Sequence, residues 1–159
     1  MRSSVLAGWN DVAIALGSNL GDRRSHLEFA VQRIRDVLTD VAVSRFYETA
    51  PVGVDPQPDF LNGAVVGRAS LSARELLDCL LAIERDRGRE RPHTGAPRTL
   101  DLDLVFYGSE VINEPGLQVP HPRFRERLFV LEPLAEVAAD WVDPVTGETV
   151  ASLLDKRST

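Results

Sequence analysis

Two aspartates, Asp101 and Asp103, sit two residues apart inside PRTLDLDLVFYG (97–108), a stretch whose Leu, Val, Phe and Tyr otherwise read as a β-strand. Side chains alternate along a strand, so both carboxylates project from one face while Leu100, Leu102 and Leu104 project from the other. Neighbouring carboxylates repel unless a cation neutralises them. A hard divalent ion with oxygen ligands, Mg2+ above all, meets that need. The plain alternative is a strand with an acidic solvated face, and a D-x-D spacing alone leaves both open. Arg89, Arg91 and Arg98 precede the pair. Guanidinium forks hold phosphate oxygens and a metal bridges phosphate to carboxylate, so the combination points to a phosphate–metal site. GSNLGDR (17–23) is a strand-to-helix turn where backbone N–H groups could meet an anion. It lacks the G-K-[ST] ending of a P-loop and does not fit G-x-G-x-x-G, and tight-turn geometry explains it as well.

The elements that must position these groups follow from hydrophobic spacing. DVAIALGSN (11–19) is a short apolar strand; in the segment after it Leu27, Ala30, Val31, Ile34, Val37 and Leu38 recur at helical intervals. Residues 41–49 alternate as a strand, residues 50–59 form a proline-rich loop, and residues 60–69 are the next strand. Ser72 and Glu75 make a capping box for a helix that Gly88 closes. A second loop, 89–97, leads into the Asp101/Asp103 strand. Beyond it the chain reads as a turn, a short strand and a loop, then a helix starting or kinking at Pro133, then a hairpin-like turn and a last short element. The order β-α-β-β-α-β predicts an α+β, ferredoxin-like fold: an antiparallel sheet with helices on one face, the other left for a ligand and the long loops.

Composition narrows the function. A chain of 159 residues forms one domain, 1–159, with a real core. At 43% hydrophobic and 26% charged it is an ordinary globular sequence. The net charge of −6 argues against nucleic-acid or anionic-membrane partners. Cys79 is the single cysteine, which excludes an internal disulfide and a cysteine-built zinc site. Its apolar helical setting reads as a packed core thiol. Without a secretory h-region or a run of membrane-span length, the expectation is a cytoplasmic protein.

ALGSNLGDR, FYETAPVG, QPDFLNGAV, PRTLDLDLVFYG and VPHPRFRERLFVLEPLAEV together resemble the 6-hydroxymethyl-7,8-dihydropterin pyrophosphokinases of folate biosynthesis, in that family's order and spacing over about residues 12 to 155. The resemblance implies transfer of the β,γ-pyrophosphate of ATP to the pterin hydroxymethyl group, with two Mg2+ ions held by Asp101 and Asp103. It implies small-molecule substrates only and a monomer. For the pterin it implies Asn62 at the amide edge, Thr49, Ala50 and Val52 in the surrounding loop, and Phe60 and Phe129 as ring contacts. For the nucleotide it implies Leu77, Glu84 and Leu104, with Arg89, Arg91, Arg98, His121 and Arg127 toward the phosphates; Arg89 and Arg98 join the aspartates as the catalytic group. Apart from the resemblance, Asn62 could be a bulge residue, Phe129 a core ring and Glu84 a helix-surface acid. His26 and His93 match no role and read as surface residues.

The sequence departs from the family in the second loop. Thr94 and Gly95 stand in place of an Arg-Trp pair and Ala96 in place of a glycine, removing a stacking surface and a cation. Leu81 replaces a common glutamine, Pro122 an aromatic, and Gly116 stands where a basic residue can occur. These changes keep one rival in view, a non-catalytic paralogue that binds pterin or nucleotide, and the many functions hosted by the fold keep a second, another Mg2+-dependent nucleotidyl or phosphoryl transferase.

Overall fold

The protein's structure, a computed structural model, describes residues 8–50, 58–88 and 99–158. Strand β1 (Asn10–Ser18) is central, hydrogen-bonded antiparallel to β4 (Phe60–Ala69) on one side and to β5 (Asp101–Tyr107) on the other. Strands β2 (Thr39–Val43) and β3 (Tyr47–Thr49) both pair with β4. With α1 (Arg23–Arg35) and α2 (Ala73–Asp86) between them, this is the βαββαβ order and the antiparallel ferredoxin-like sheet that the sequence predicts.

Each helix forms where its caps and stripe require. The Asp22 side chain accepts from the Ser25 N–H at 3.2 Å, and Leu27, Ala30, Val31 and Ile34 give α1 its buried face. Ser72 and Glu75 exchange the two bonds of a capping box at 3.1 and 2.9 Å. Under α1 and α2 lie Val12, Ile14 and Leu16 of β1 and Leu100, Leu102 and Leu104 from the aspartate strand, as alternation requires.

Three elements differ from the sequence reading. The strand expected over 41–49 is divided. The Ser44 N–H donates to the Ala64 carbonyl at 2.9 Å and the Ser44 hydroxyl accepts the Ala64 N–H at 2.9 Å, so a side chain replaces one rung of the ladder. Phe46 then lies across Gly63, where a Cβ would stand 2.9 Å from its ring. The segment after β5 holds a hairpin of two strands, β6 (Ile112–Glu114) and β7 (Leu117–Val119), rather than one. Pro115-Gly116 turns it, with Gly116 at φ +76° as the second turn position demands.

The third difference is the sheet's second face, which is not left wholly free. Helix α3 (Leu128–Ala138) and helix α4 (Val150–Ser158) pack there over Ala13, Ala15, Ala64, Val66, Val105 and Phe106. The alanines of β1 and β4 let α3 approach closely. Pro133 lies inside α3, not at its start. Among the described residues no helix is long and apolar enough to cross a membrane.

Candidate functional site

Where α3 and α4 do not reach, one row of side chains crosses the second face. Gly17 of β1 pairs with Asn62 of β4 on one side and with Asp101 of β5 on the other. Asn62 is 4% exposed, and its Nδ2 donates to the Thr49 hydroxyl at 2.5 Å. That bond orients the amide, leaving Oδ1 and one N–H for another partner. A Cβ at position 17 would stand 3.1 Å from Asn62 Oδ1 and 3.7 Å from the Phe60 ring, so glycine leaves room for both side chains over the strand. Asp103, opposite Ala15, continues the row, and both aspartates are half-buried.

A cavity of about 660 Å³ lies along β5, an edge strand of the sheet. Leu77 of α2, Leu102, Asp103 and Leu104 of β5, the tip of the β6–β7 hairpin, His121 and Pro122 line it. The His121 N–H donates to the Val105 carbonyl at 3.1 Å, and its Nδ1 accepts the Arg123 N–H at 3.2 Å. With Nδ1 an acceptor, the ring proton sits on Nε2. Burial, then the Arg127 charge, lowers the His121 pKa, while Asp101 opposes them. The ring is therefore a neutral donor at neutral pH.

A family model described as 7,8-dihydro-6-hydroxymethylpterin-pyrophosphokinase (HPPK) matches residues 13–139. The chain belongs to this family. A Bacillus subtilis relative named 2-amino-4-hydroxy-6-hydroxymethyldihydropteridine pyrophosphokinase is 48% identical over 131 residues, covering 80% of this chain and 78% of the relative. A Synechocystis relative of the same name is 44% identical over 146 residues, covering 90% and 74%. Among solved structures, Plasmodium falciparum HPPK-DHPS with pterin and p-hydroxybenzoate is similar at TM-score 0.73 and 17% identity over 93% of this chain. This chain spans 42% of that one, and the likeness is one of fold. The sequence-based assignment to the pyrophosphokinase family is borne out.

The structure brings Thr49, Phe60, Asn62, Asp101 and Asp103 onto one sheet face, and Leu77, Asp103, Leu104 and His121 around one cavity. Ala50 is exposed just past β3. Phe129 lies in the first turn of α3, half-buried, with the Arg127 guanidinium 5.5 Å from its ring centre. Glu84 is not the helix-surface acid of the plain reading: it is 2% exposed, and its carboxylate accepts the Leu102 N–H at 2.7 Å, tying α2 to β5 behind the cavity. Val52, Arg89, Arg91 and Arg98 lie outside the described residues, as do His93, Thr94, Gly95 and Ala96. Among the described residues no third His, Cys, Asp or Glu joins Asp101 and Asp103 in a metal-binding group. Two oxygen-donor carboxylates suit Mg2+, which keeps most of its shell for water and phosphate oxygens.

Sequence reasoning missed two polar supports of the fold. His26, read as a surface residue, is half-buried, and its Nδ1 accepts from Arg87 Nε at 2.8 Å. It joins the first turn of α1 to the C-cap of α2, with Arg87 also 4.8 Å from the Phe29 ring centre. Burial, then Arg87, lowers its pKa. Since His26 and His121 both bind protons less readily folded than unfolded, folding stability falls as pH drops through about 6.5 toward their lower folded values. Thermal melts at pH 7.5 and 5.5 should show that loss, with a smaller loss in His26→Gln; equal losses would disprove the His26 contribution. The second support is Asp143, fully buried against Arg125.

Proposed function

We propose that this chain transfers pyrophosphate from ATP to 6-hydroxymethyl-7,8-dihydropterin, releasing AMP, in folate biosynthesis, with Asp101 and Asp103 holding two Mg2+ ions. The row Asn62–Gly17–Asp101 carries the proposal. Neighbouring strands run about 4.8 Å apart, so Asn62 and Asp101 stand about 10 Å apart across Gly17. A pterin ring lies between them with its amide edge on Asn62 and its hydroxymethyl group toward the aspartates. Asn62 Oδ1 accepts the ring N–H and its free N–H donates to the ring carbonyl, a match that needs both ends of the amide.

The other roles follow the same axis. Phe60 and Phe129 contact the ring faces, and Thr49 fixes the Asn62 amide, with Ala50 and Val52 bounding that end. Leu77 and Leu104 contact the nucleoside, and Glu84 holds their two elements together. His121 Nε2–H, Arg91 and Arg127 donate to phosphate oxygens, and Arg89 and Arg98 to the transferring group. The hydroxymethyl oxygen bonds to the β-phosphorus and gives up its proton to water, the bond from that phosphorus to the oxygen bridging to the α-phosphate breaks, and AMP leaves with that oxygen. Bound Mg2+ would neutralise the triphosphate and polarise it. The protein's own contribution is alignment. It acts as a monomer.

The test is AMP release from ATP with Mg2+ and the pterin. AMP that depends on both supports the reading, while pterin binding without AMP favours the non-catalytic paralogue. Asn62→Ala should raise the pterin KM about 10- to 100-fold through loss of paired hydrogen bonds, with the ATP KM little changed. An unchanged pterin KM would remove Asn62 from the pterin site.

A further inference from the structure

The β6–β7 hairpin supplies half of the cavity wall, from Asn113 to Gln118. Each strand has three residues, and an isolated pair of that size has little stability of its own. Among the described residues two attachments hold it. On its inner side Leu117 and Val119 are buried in the core beneath α1 and α2, with Ile112 packed against them. On its outer side the attachment is one residue of α2: Arg74 Nη2 donates to Glu114 Oε1 at 3.1 Å and to the Pro115 carbonyl at 3.1 Å. The hairpin's own cross-strand bond, Gln118 Nε2 to Asn113 Oδ1 at 3.1 Å, zips its two strands but does not fasten them to the rest of the protein.

Gly116 contributes to this attachment. A Cβ there would lie in ordinary van der Waals contact with Arg74 Nη1, at 3.8 Å. Gly116 also carries a positive φ, which glycine adopts without strain. The glycine shapes the turn that Arg74 grips. Leu77, one turn on from Arg74 along α2, lines the cavity, so the helix that clamps the hairpin also contributes to the cavity wall.

We propose that Arg74 is a positioning residue for the nucleotide: by clamping the hairpin turn to α2 it sets the width of the cavity in which ATP sits. This rests on the proposed function, which places the nucleotide between Leu77 and Leu104. Arg74 touches no reacting group, so its loss changes nucleotide affinity and leaves the chemical step alone. The ion pair is exposed, with side chains 45% and 57% accessible, so its removal costs little global stability.

The test compares wild type, Arg74→Met and Arg74→Lys by ATP binding with Mg2+, by steady-state kinetics in each substrate, and by hydrogen exchange over residues 112–119. Arg74→Met should raise the ATP Kd and KM about five-fold, keep kcat and the pterin KM at wild-type values, and speed exchange in the hairpin. Arg74→Lys should recover part of the ATP affinity through its charge. Faster hairpin exchange with unchanged ATP affinity overturns the inference alone, as does unchanged exchange. A wild-type protein that binds no ATP overturns the proposed function and this inference with it.

Discussion

Asp103→Asn and Asp101→Asn should each lower turnover by about three orders of magnitude while the protein stays folded. Asparagine has nearly the same shape, so what changes is one negative charge at a half-buried position on a sheet face. That charge is what would hold Mg2+ against the triphosphate. The two positions differ in their surroundings. Asp103 lines the cavity with Leu77, Leu104 and His121, so its replacement should also raise the Mg2+ concentration needed for ATP binding. Asp101 stands across Gly17 from Asn62, nearer the proposed acceptor, so its replacement should weigh more on the transfer step than on ATP binding. Single-turnover AMP release across a Mg2+ titration separates the two, with circular dichroism and a thermal melt as controls for folding. Near-normal Mg2+-dependent turnover in either variant would remove that residue from the metal site.

The aspartate pair, the βαββαβ order and the Ser72/Glu75 capping box were legible because each rests on short-range rules: alternation along a strand, stripe spacing on a helix, a four-residue cap. Their residues announce their structure locally. The covering of the second sheet face was less legible, although a trace of it is there. VAIALG alternates large and small side chains, and the small ones, Ala13 and Ala15, are where α3 packs. A free face would have tolerated larger or polar residues at those positions. The hairpin had a local signal too, since Pro115-Gly116 suits the centre of a tight turn. The division of the strand at 41–49 had none. It depends on the Ser44 hydroxyl meeting the Ala64 N–H, twenty residues apart in sequence, and on Phe46 meeting a glycine of the neighbouring strand. The burial of Glu84 and the partnership of His26 with Arg87 are of the same kind. A polar residue's partner from another element is set by packing, and spacing along one element does not reveal it.

Asp143 is the strongest case of such a partner, and Asp143→Ala should cost about 3–5 kcal/mol of stability. Its side chain is fully buried, accepting from Arg125 Nε at 2.5 Å and Nη2 at 2.9 Å, from the Val145 N–H at 3.0 Å and from the Thr146 hydroxyl at 2.8 Å. Removing it strands a guanidinium that is only 25% accessible and leaves the turn before α4 without its centre. Burial alone would push the Asp143 pKa up, but the bonds from Arg125, Val145 and Thr146 outweigh it and hold the group below its usual value. A depressed carboxylate pKa adds stability that is complete above the unfolded value of about 3.9 and is lost as pH falls through the folded one. The gap between wild type and Asp143→Ala should therefore be widest near neutrality and narrow in acid. The loss should also reach the site. Arg125 belongs to the 3-10 turn Phe124–Glu126, which Phe124 anchors to β5 through an edge-on contact with Phe106 at 5.1 Å. That turn lies between His121 and Arg127. Asp143→Asn keeps the shape without the charge, so it should fold, lose less stability than the alanine variant, and raise the ATP KM more than the pterin KM. Urea melts at pH 7 and about pH 3, below the unfolded value, read beside those two constants, test the assignment. An alanine variant as stable as wild type would show that the Arg125–Asp143 pair does not hold this turn in place.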